Sequence, residues 1–467
     1  MPILPPDRLF PADPSTRDLA RALYETVRDL PIVSPHGHTD PAWYATDAPF
    51  PDPAQLFVTP DHYVFRMLAS QGVPLQALGV PRADGGPTET DGRTIWRLFA
   101  QHYHLFAGTP SRLWLDHAFE TVFGFDQRLT VANADEYYDR IDAALRTPAF
   151  RPRALYERFN IEVIATTDSA LDDLAPHAAL RASGWTGRVV PTYRPDAVVD
   201  PEFPGFVANV ARLGELTGED TQSWTGYLNA HRARRGFFKT MGATATDHGH
   251  ATARTEDLSP AEAAALFSRV LKGPTPEEAD AFRGQMLTEM ARMSLEDGLV
   301  MQLHPGSRRN HHSGILGQFG RDKGFDIPGR TDYVAALRPL LNAVGMEPGL
   351  SIILFTLDET AYARELAPLA GVYPSLKLGP AWWFHDSPEG MRRYREMTTE
   401  TAGFHNTVGF NDDTRAFLSI PARHDMARRV DCAWLAELVA TGRLDREEAF
   451  GLAPLLARDL AKAAYRL

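Results

Sequence analysis

Cysteine is all but absent from this chain of 467 residues, where Cys432 stands alone. One thiol can neither close an intrachain disulfide nor build a thiolate metal cage, so any bound metal has to use nitrogen and oxygen ligands. Long apolar runs are missing as well. No stretch reaches the roughly 18 residues of a membrane-spanning helix. The opening Met1-Pro2-Ile3-Leu4-Pro5-Pro6-Asp7 lacks the basic segment and apolar run of a secretion signal, which points to a cytoplasmic protein without a membrane partner. Positive charge is also scarce, with 48 basic against 60 acidic residues and a formal charge of −12. No lysine or arginine cluster is long enough to track a phosphate backbone, which excludes nucleic acid as a partner. Internal repeats and low-complexity tracts are lacking too.

What remains is the composition of an ordinary globular protein, 44% hydrophobic and 23% charged. An acidic protein that acts on an acidic small molecule needs a local positive site, arginines or a cation, to overcome its own field. An amphipathic helix opens the chain, with Leu19, Ala20, Leu23, Val27 and Leu30 at helical spacing and Ser15 and Asp18 placed as a capping box. Residues of about 42–158 read as helices only, rich in aromatics. Short apolar runs then alternate with helical patterns, the signature of parallel β/α units.

Eight such runs can be counted: Pro31–Val33, Ile161–Ala165, Arg188–Thr192, Gly236–Met241, Gly298–Leu303, Ser351–Phe355, Ser375–Leu378 and Thr407–Phe410. Polar, charged, histidine or tryptophan residues follow each within a few positions, among them Thr166-Thr167-Asp168, Tyr193-Arg194, Asp247-His248, His304, Trp382-Trp383 and Asp412-Asp413-Thr414-Arg415. In a (β/α)₈ barrel the chemistry sits at the carboxyl ends of the strands, and this distribution matches that rule. The expectation is one barrel domain over residues 1–467, with the helical segment of about 42–158 inserted after the first strand. Beyond residue 421 the chain reads as helices broken near Gly442.

The sharpest motif is Ser34-Pro35-His36-Gly37-His38-Thr39-Asp40-Pro41, directly after Ile32-Val33. On an extended strand His36 and His38 point the same way, so both imidazoles can reach one cation. With 16 histidines, chance alone supplies about half a His-x-His pair, and the chain has three. His102 and His104 lie in a helical pattern and read as structural, whereas His248 and His250 sit at another strand end and compete. A barrel would let His36, His38, His304 and Asp413 converge. Asp413 and Arg415 alternate, which places both on one side of an extended segment and Asp412 on the other. Arg194, before Pro195, has Asp196 as its ordinary ion-pair partner.

Eight collinear motifs resemble the uronate isomerase (glucuronate isomerase) family of the amidohydrolase superfamily: His36-Gly37-His38; Asp61-His62-Tyr63 with Arg66; Thr166-Thr167-Asp168; Pro191-Thr192-Tyr193-Arg194-Pro195-Asp196; Asp247-His248-Gly249; Met301–Gly306 with Arg309-Asn310; Gly379–Phe384; and Asp413-Thr414-Arg415. The resemblance implies a (β/α)₈ barrel that interconverts D-glucuronate with D-fructuronate and D-galacturonate with D-tagaturonate. It implies one divalent metal, zinc, held by His36, His38 and Asp413 with His304 nearby, and receiving the substrate's C6 carboxylate and C5 hydroxyl. Asp413, Tyr63 and Arg415 would carry the proton transfer from C2 to C1 through an enediol; His62, Arg194, Arg415 and Trp383 would line the substrate pocket. Two other readings compete: a metal-dependent hydrolase on the same barrel, and a barrel that binds a sugar acid without converting it. Self-association into a homo-oligomer is compatible with everything above.

Overall fold

A computed structural model describes residues 2–467. Its main sheet is parallel throughout and consists of β1 (Ile32–Ser34), β2 (Ile161–Ser169), β3 (Val189–Arg194), β4 (Ala245–His248), β5 (Val300–Leu303), β8 (Ile352–Leu354) and β9 (Leu376–Leu378), hydrogen-bonded in that order. Between β5 and β8 the chain makes a separate antiparallel ribbon from β6 (Ser307–Arg308) and β7 (Ile327–Pro328). The eighth position is filled by irregular backbone. Thr407 bridges to Leu378, and the Val408 amide donates to the Leu378 carbonyl at 3.0 Å. A few residues on, the Asp413 amide donates to the His36 carbonyl at 3.2 Å and the His38 amide to the Thr414 carbonyl at 3.0 Å. These bonds close the ring, giving the expected (β/α)₈ barrel.

Three expectations are corrected. Thr407–Phe410 is not a regular strand: only Thr407 forms a bridge, and Gly409 at φ +73° interrupts the extended backbone. Gly236–Met241 is not a strand but the end of the helix Trp224–Thr240, and the fourth strand is Ala245–His248. Tyr227, Ala230, Arg234 and Phe238 are buried at helical spacing, and Ser223 caps the helix by accepting from the Gly226 amide. In the first helix, Pro14–Val27, the cap is Asp13, which accepts from the Thr16 amide at 2.9 Å and from the Ser15 hydroxyl, so Ser15 and Asp18 form no capping box.

The segment between β1 and β2 is helical, as its periodicity indicates. Asp40, Asp52, Asp61 and Asp91 each cap a helix start, accepting from the amides of Ala42, Ala54, Tyr63 and Thr94 at 2.8–3.0 Å. Each cap contributes about 1 kcal/mol. The helices share an aromatic core in which Trp96 meets Phe57, Phe99 and Phe119. No described helix is long and apolar enough to cross a membrane.

Strand alternation divides the barrel residues between two cores. Met301, Leu303, Ile352 and Leu354 face the outer helices, while Val33, Val163, Val190, Ala245, Val300, Ile353 and Val408 face inward. At the amino-terminal mouth these inward residues meet Ala461, Ala464, Tyr465 and Leu467, so the final turn and its helix, Leu460–Ala464, plug the barrel from below. Tyr465 is fully buried, and its hydroxyl donates to Gln302 Oε1 at 3.2 Å. Replacing Tyr465 with alanine is expected to cost about 3–5 kcal/mol, against about 1 kcal/mol for phenylalanine, which keeps the packing. Denaturant unfolding of the two variants checks this, and equal losses would mean the ring does not plug the barrel.

Candidate active site

At the opposite, carboxyl-terminal mouth lies a cavity of about 890 Å³, within the size range of small-molecule sites. His36, His38, His62, Tyr63, Arg194, His304, Trp383, Asp413 and Arg415 all line it. The polypeptide reaches that convergence by a different route from the one alternation suggests. β1 stops at Ser34, so His36 and His38 stand beyond the strand, their rings edge to face with centroids 5.2 Å apart. Asp413 has φ +38°, a left-handed conformation held by the closing hydrogen bonds, and its segment is not an extended strand. Asp413 and Arg415 nevertheless both face the cavity, while Asp412 is turned away, fully buried, and bonded to His424 Nε2 at 3.0 Å.

His36, His304 and Asp413 each present a ligand atom within 4.8 Å of the other two. Asp413 Oδ1 lies 3.0 Å from His38 Nε2 and 3.4 Å from His36 Nε2. His304 is fixed from behind, its Nδ1 2.6 Å from Asp247 Oδ1, and its buried Nε2 has no partner among the described residues. A carboxylate on the far nitrogen of an imidazole is the usual way to aim the near one at a metal. These residues therefore fit a divalent cation. Cys432 is buried elsewhere, against the opening helix, so nitrogen and oxygen are the donors. Phe355 stacks on His304 at 3.9 Å and Trp382 packs edge-on at 4.7 Å, which keeps that side of the group dry.

The electrostatics follow from burial. Burial alone would raise the Asp413 carboxyl, but His36 and His38 outweigh it and hold the group well below the usual carboxylate range. Burial disfavours charge on His36 too, yet the Asp413 carboxylate prevails and its pKa is raised, while burial lowers those of His38 and His304. Arg194 is gripped twice, by Asp196 at 2.8 Å and by Asp247 at 3.0 Å. Against its burial, the Arg194 charge and the hydrogen bond with His304 hold Asp247 well below the ordinary range. Tyr63 occupies the first turn of the helix His62–Ala69, where the Asp61 cap places it, and its ring packs edge-on against Trp114. Burial raises the pKa of its hydroxyl, so the group stays protonated. Burial and Arg415 push the pKa of His62 well down.

Asp247 is the residue whose place the sequence left undecided. It alternates with Ala245 on the inner face of β4, while Thr246 and His248 bond each other at 3.1 Å on the outer face. His248 and His250 are both buried and lie beside a small separate cavity, so that pair does not compete for the cation. His102 and His104 lie at a helix end and bond backbone carbonyls.

The sequence profile of the glucuronate isomerase family matches residues 15–461. This chain belongs to that family. A uronate isomerase of Rhizobium meliloti is 68% identical over 466 residues, covering 100% of this chain and 99% of the relative. The crystal structure of a glucuronate isomerase from Caulobacter crescentus superimposes with a TM-score of 0.98 at 62% identity, covering 100% of this chain and 98% of that one. A uronate isomerase from Thermotoga maritima still superimposes at 0.92 with 27% identity, covering 99% of each chain. The likeness thus spans both the barrel and the helices between β1 and β2.

One motif of the glucuronate isomerase resemblance splits between two faces. Thr167 faces the cavity, where its hydroxyl donates to the Gly37 carbonyl at 2.9 Å. Thr166 and Asp168 point outward to His177, with Thr166 Oγ1 2.8 Å from Asp168 and 2.9 Å from His177 Nε2. Burial pushes Asp168 up to about 7, and burial brings His177 down to about 4, so no cation answers this acid. An acid raised in the folded state takes up a proton on folding. The wild type is therefore favoured below the unfolded value near 4 and loses that advantage as pH rises towards 7. Asp168→Asn is expected to raise the melting temperature by an increment that grows from pH 4 to 7 and then levels off. Thermal melts across that range check it; an increment independent of pH would contradict a protonated Asp168.

Proposed function

We propose that this chain is an aldose–ketose isomerase of hexuronates, interconverting D-glucuronate with D-fructuronate and D-galacturonate with D-tagaturonate. The observation that carries the reading is the single cavity in which the His36–His304–Asp413 group, Tyr63 and Arg415 face one another. His36, His38 and Asp413, with His304, would hold the cation, and a set of imidazoles and one carboxylate suits zinc. When bound, the cation supplies the positive charge that an acidic protein needs to receive and neutralise the substrate's carboxylate.

The chemistry requires a proton to leave C2, beside the aldehyde, and to return at C1. Asp413, ionised at neutral pH, is the base. The Tyr63 hydroxyl, kept protonated by burial, donates to the C1 oxygen as charge develops there. Arg415 holds the C2 and C3 hydroxyls, and it or Tyr63 passes the proton between the two oxygens. His62, Arg194 and Trp383 complete the substrate wall. Arg194, already held by two carboxylates, contributes a rigid donor surface. Residues 1–467 are read as one cytoplasmic barrel domain carrying the inserted helices.

The test is metal-loaded enzyme incubated with each uronate in heavy water while the C1 and C2 protons are followed by NMR. Ketose should form, and Asp413→Asn and Tyr63→Phe should each lower kcat by about 100-fold or more, with uronate binding by Tyr63→Phe retained. Uronates left unchanged while an ester or lactone is hydrolysed would replace this reading with a hydrolase. Binding without conversion under any divalent metal would leave only a binding protein.

A further inference from the structure

We propose that the enzyme also isomerises the reducing-end unit of a di-uronide linked through O4, with Arg308, Arg321 and Arg330 receiving the carboxylate of the second unit. The inference rests on the isomerase reading above and extends it outward from the same site.

The first observation is room. A cavity of about 890 Å³ lies near the top of the range for pockets that enclose drug-sized ligands. One six-carbon acid, seated between the His36–His304–Asp413 group and Tyr63, would leave much of that volume unfilled. The outer part is walled. After His304 the chain leaves the barrel, turns at Gly306 with φ +92°, and forms the β6–β7 ribbon. At its far side Gly324 settles on the helix that carries Tyr63, so closely that a Cβ there would lie 3.1 Å from the Cβ and carbonyl oxygen of His62. Residues 305–330 thus reach from the end of β5 to the start of that helix and enclose an outer compartment.

The second observation is charge. Carboxylates lining this compartment are already engaged. Asp200 and Glu202 bind Arg283 at 2.8 and 2.7 Å, Asp326 accepts from the Asn310 amide at 2.6 Å, and Asp322 faces Arg309 at 3.7 Å. Arg308, Arg321 and Arg330 line the same space, and among the described residues none of them has an ion-pair partner. Arg321 is braced on the Phe203 ring at 4.9 Å. Arg308 and Arg330 are exposed at the mouth and Arg321 is half-buried, and guanidinium groups left free at the rim of a cavity match a planar carboxylate.

The linkage follows by elimination. In the isomerase reading the substrate's C6 carboxylate and adjoining C5 hydroxyl would face the cation group, and its C1 to C3 oxygens would meet Tyr63 and Arg415. Only O4 is left uncommitted. The reaction at the reducing end is then the same as for the free acid. The hydrogen on C2 leaves as a proton and is delivered to C1, and a hydroxyl proton passes from O2 to O1. C1 goes from aldehyde to alcohol and C2 from alcohol to ketone, so no outside oxidant or reductant is consumed. The glycosidic bond stays intact.

The experiment gives metal-loaded enzyme a 4-O-linked di-uronide with a free reducing end, beside the monomer, and follows the reducing-end signals by NMR. The expected result is a ketose-terminated dimer with no monomer released. In Arg308→Ala/Arg330→Ala, kcat/KM for the dimer should fall about tenfold further than for the monomer. Turnover of the monomer with an inert dimer would overturn this inference and leave the isomerase reading standing. Equal, salt-dependent losses on both substrates would also overturn it, since the arginines would then only steer anions to the mouth. Inertness towards both substrates would remove the two readings together.

Discussion

Two backbone hydrogen bonds hold the ends of the barrel together at the site, Asp413 amide to His36 carbonyl and His38 amide to Thr414 carbonyl. They join segments almost the whole chain apart and do so irregularly, which is why Asp413 can adopt φ +38°. A regular eighth strand would extend Asp413 along the wall. The turn instead aims its carboxylate across the mouth, within 3.4 Å of both histidines of the first segment. Everything else about the site presupposes this seam, because without it the imidazoles and the carboxylate have no shared centre.

A buried seam of this kind concentrates charge in a poorly solvated place, and the surroundings are arranged to neutralise it. Arg194 sits between Asp196 and Asp247, and Asp247 in turn holds His304. Unpaired, any one of these groups would cost several kcal/mol by burial. As a chain they fix the His304 ring and leave one nitrogen free. The close approach of Gly249 belongs to the same arrangement, since a Cβ there would fall 2.3 Å from an Arg194 nitrogen.

The barrel was legible because most of its strands are short apolar runs followed at once by polar residues. The fourth strand was not, because Ala243-Thr244-Ala245-Thr246 is built of small residues while Phe237-Phe238 upstream looks more like a strand. That neighbour is the end of a helix whose buried face carries His231, Arg234 and Arg235, so polar residues hide its amphipathic stripe. The place of Asp247 depends on the same strand, since only its inward position on β4 brings it to the cavity. His36 and His38 both approach Asp413 Oδ1 through the loop after β1 and the seam with Asp413, which are long-range facts that no local spacing contains.

Backbone strain is distributed in the same sense. Among the described residues other than glycine with positive φ, Asn310, Asp322, Trp383 and Asp413 all line the cavity. Asparagine and aspartate tolerate the left-handed region at little cost, whereas a tryptophan does not. Trp383 at φ +52° must therefore be held by its surroundings. Its short turn runs to Asp386, which is ion-paired inside the protein with Arg423, and Arg423 also donates to the Asp412 carbonyl at 3.3 Å and stacks on Trp114 at 3.5 Å. One buried guanidinium thus ties the tryptophan turn, the backbone beside Asp413 and the ring against which Tyr63 packs. The strain at the mouth persists because these three segments share a single anchor and cannot relax one at a time.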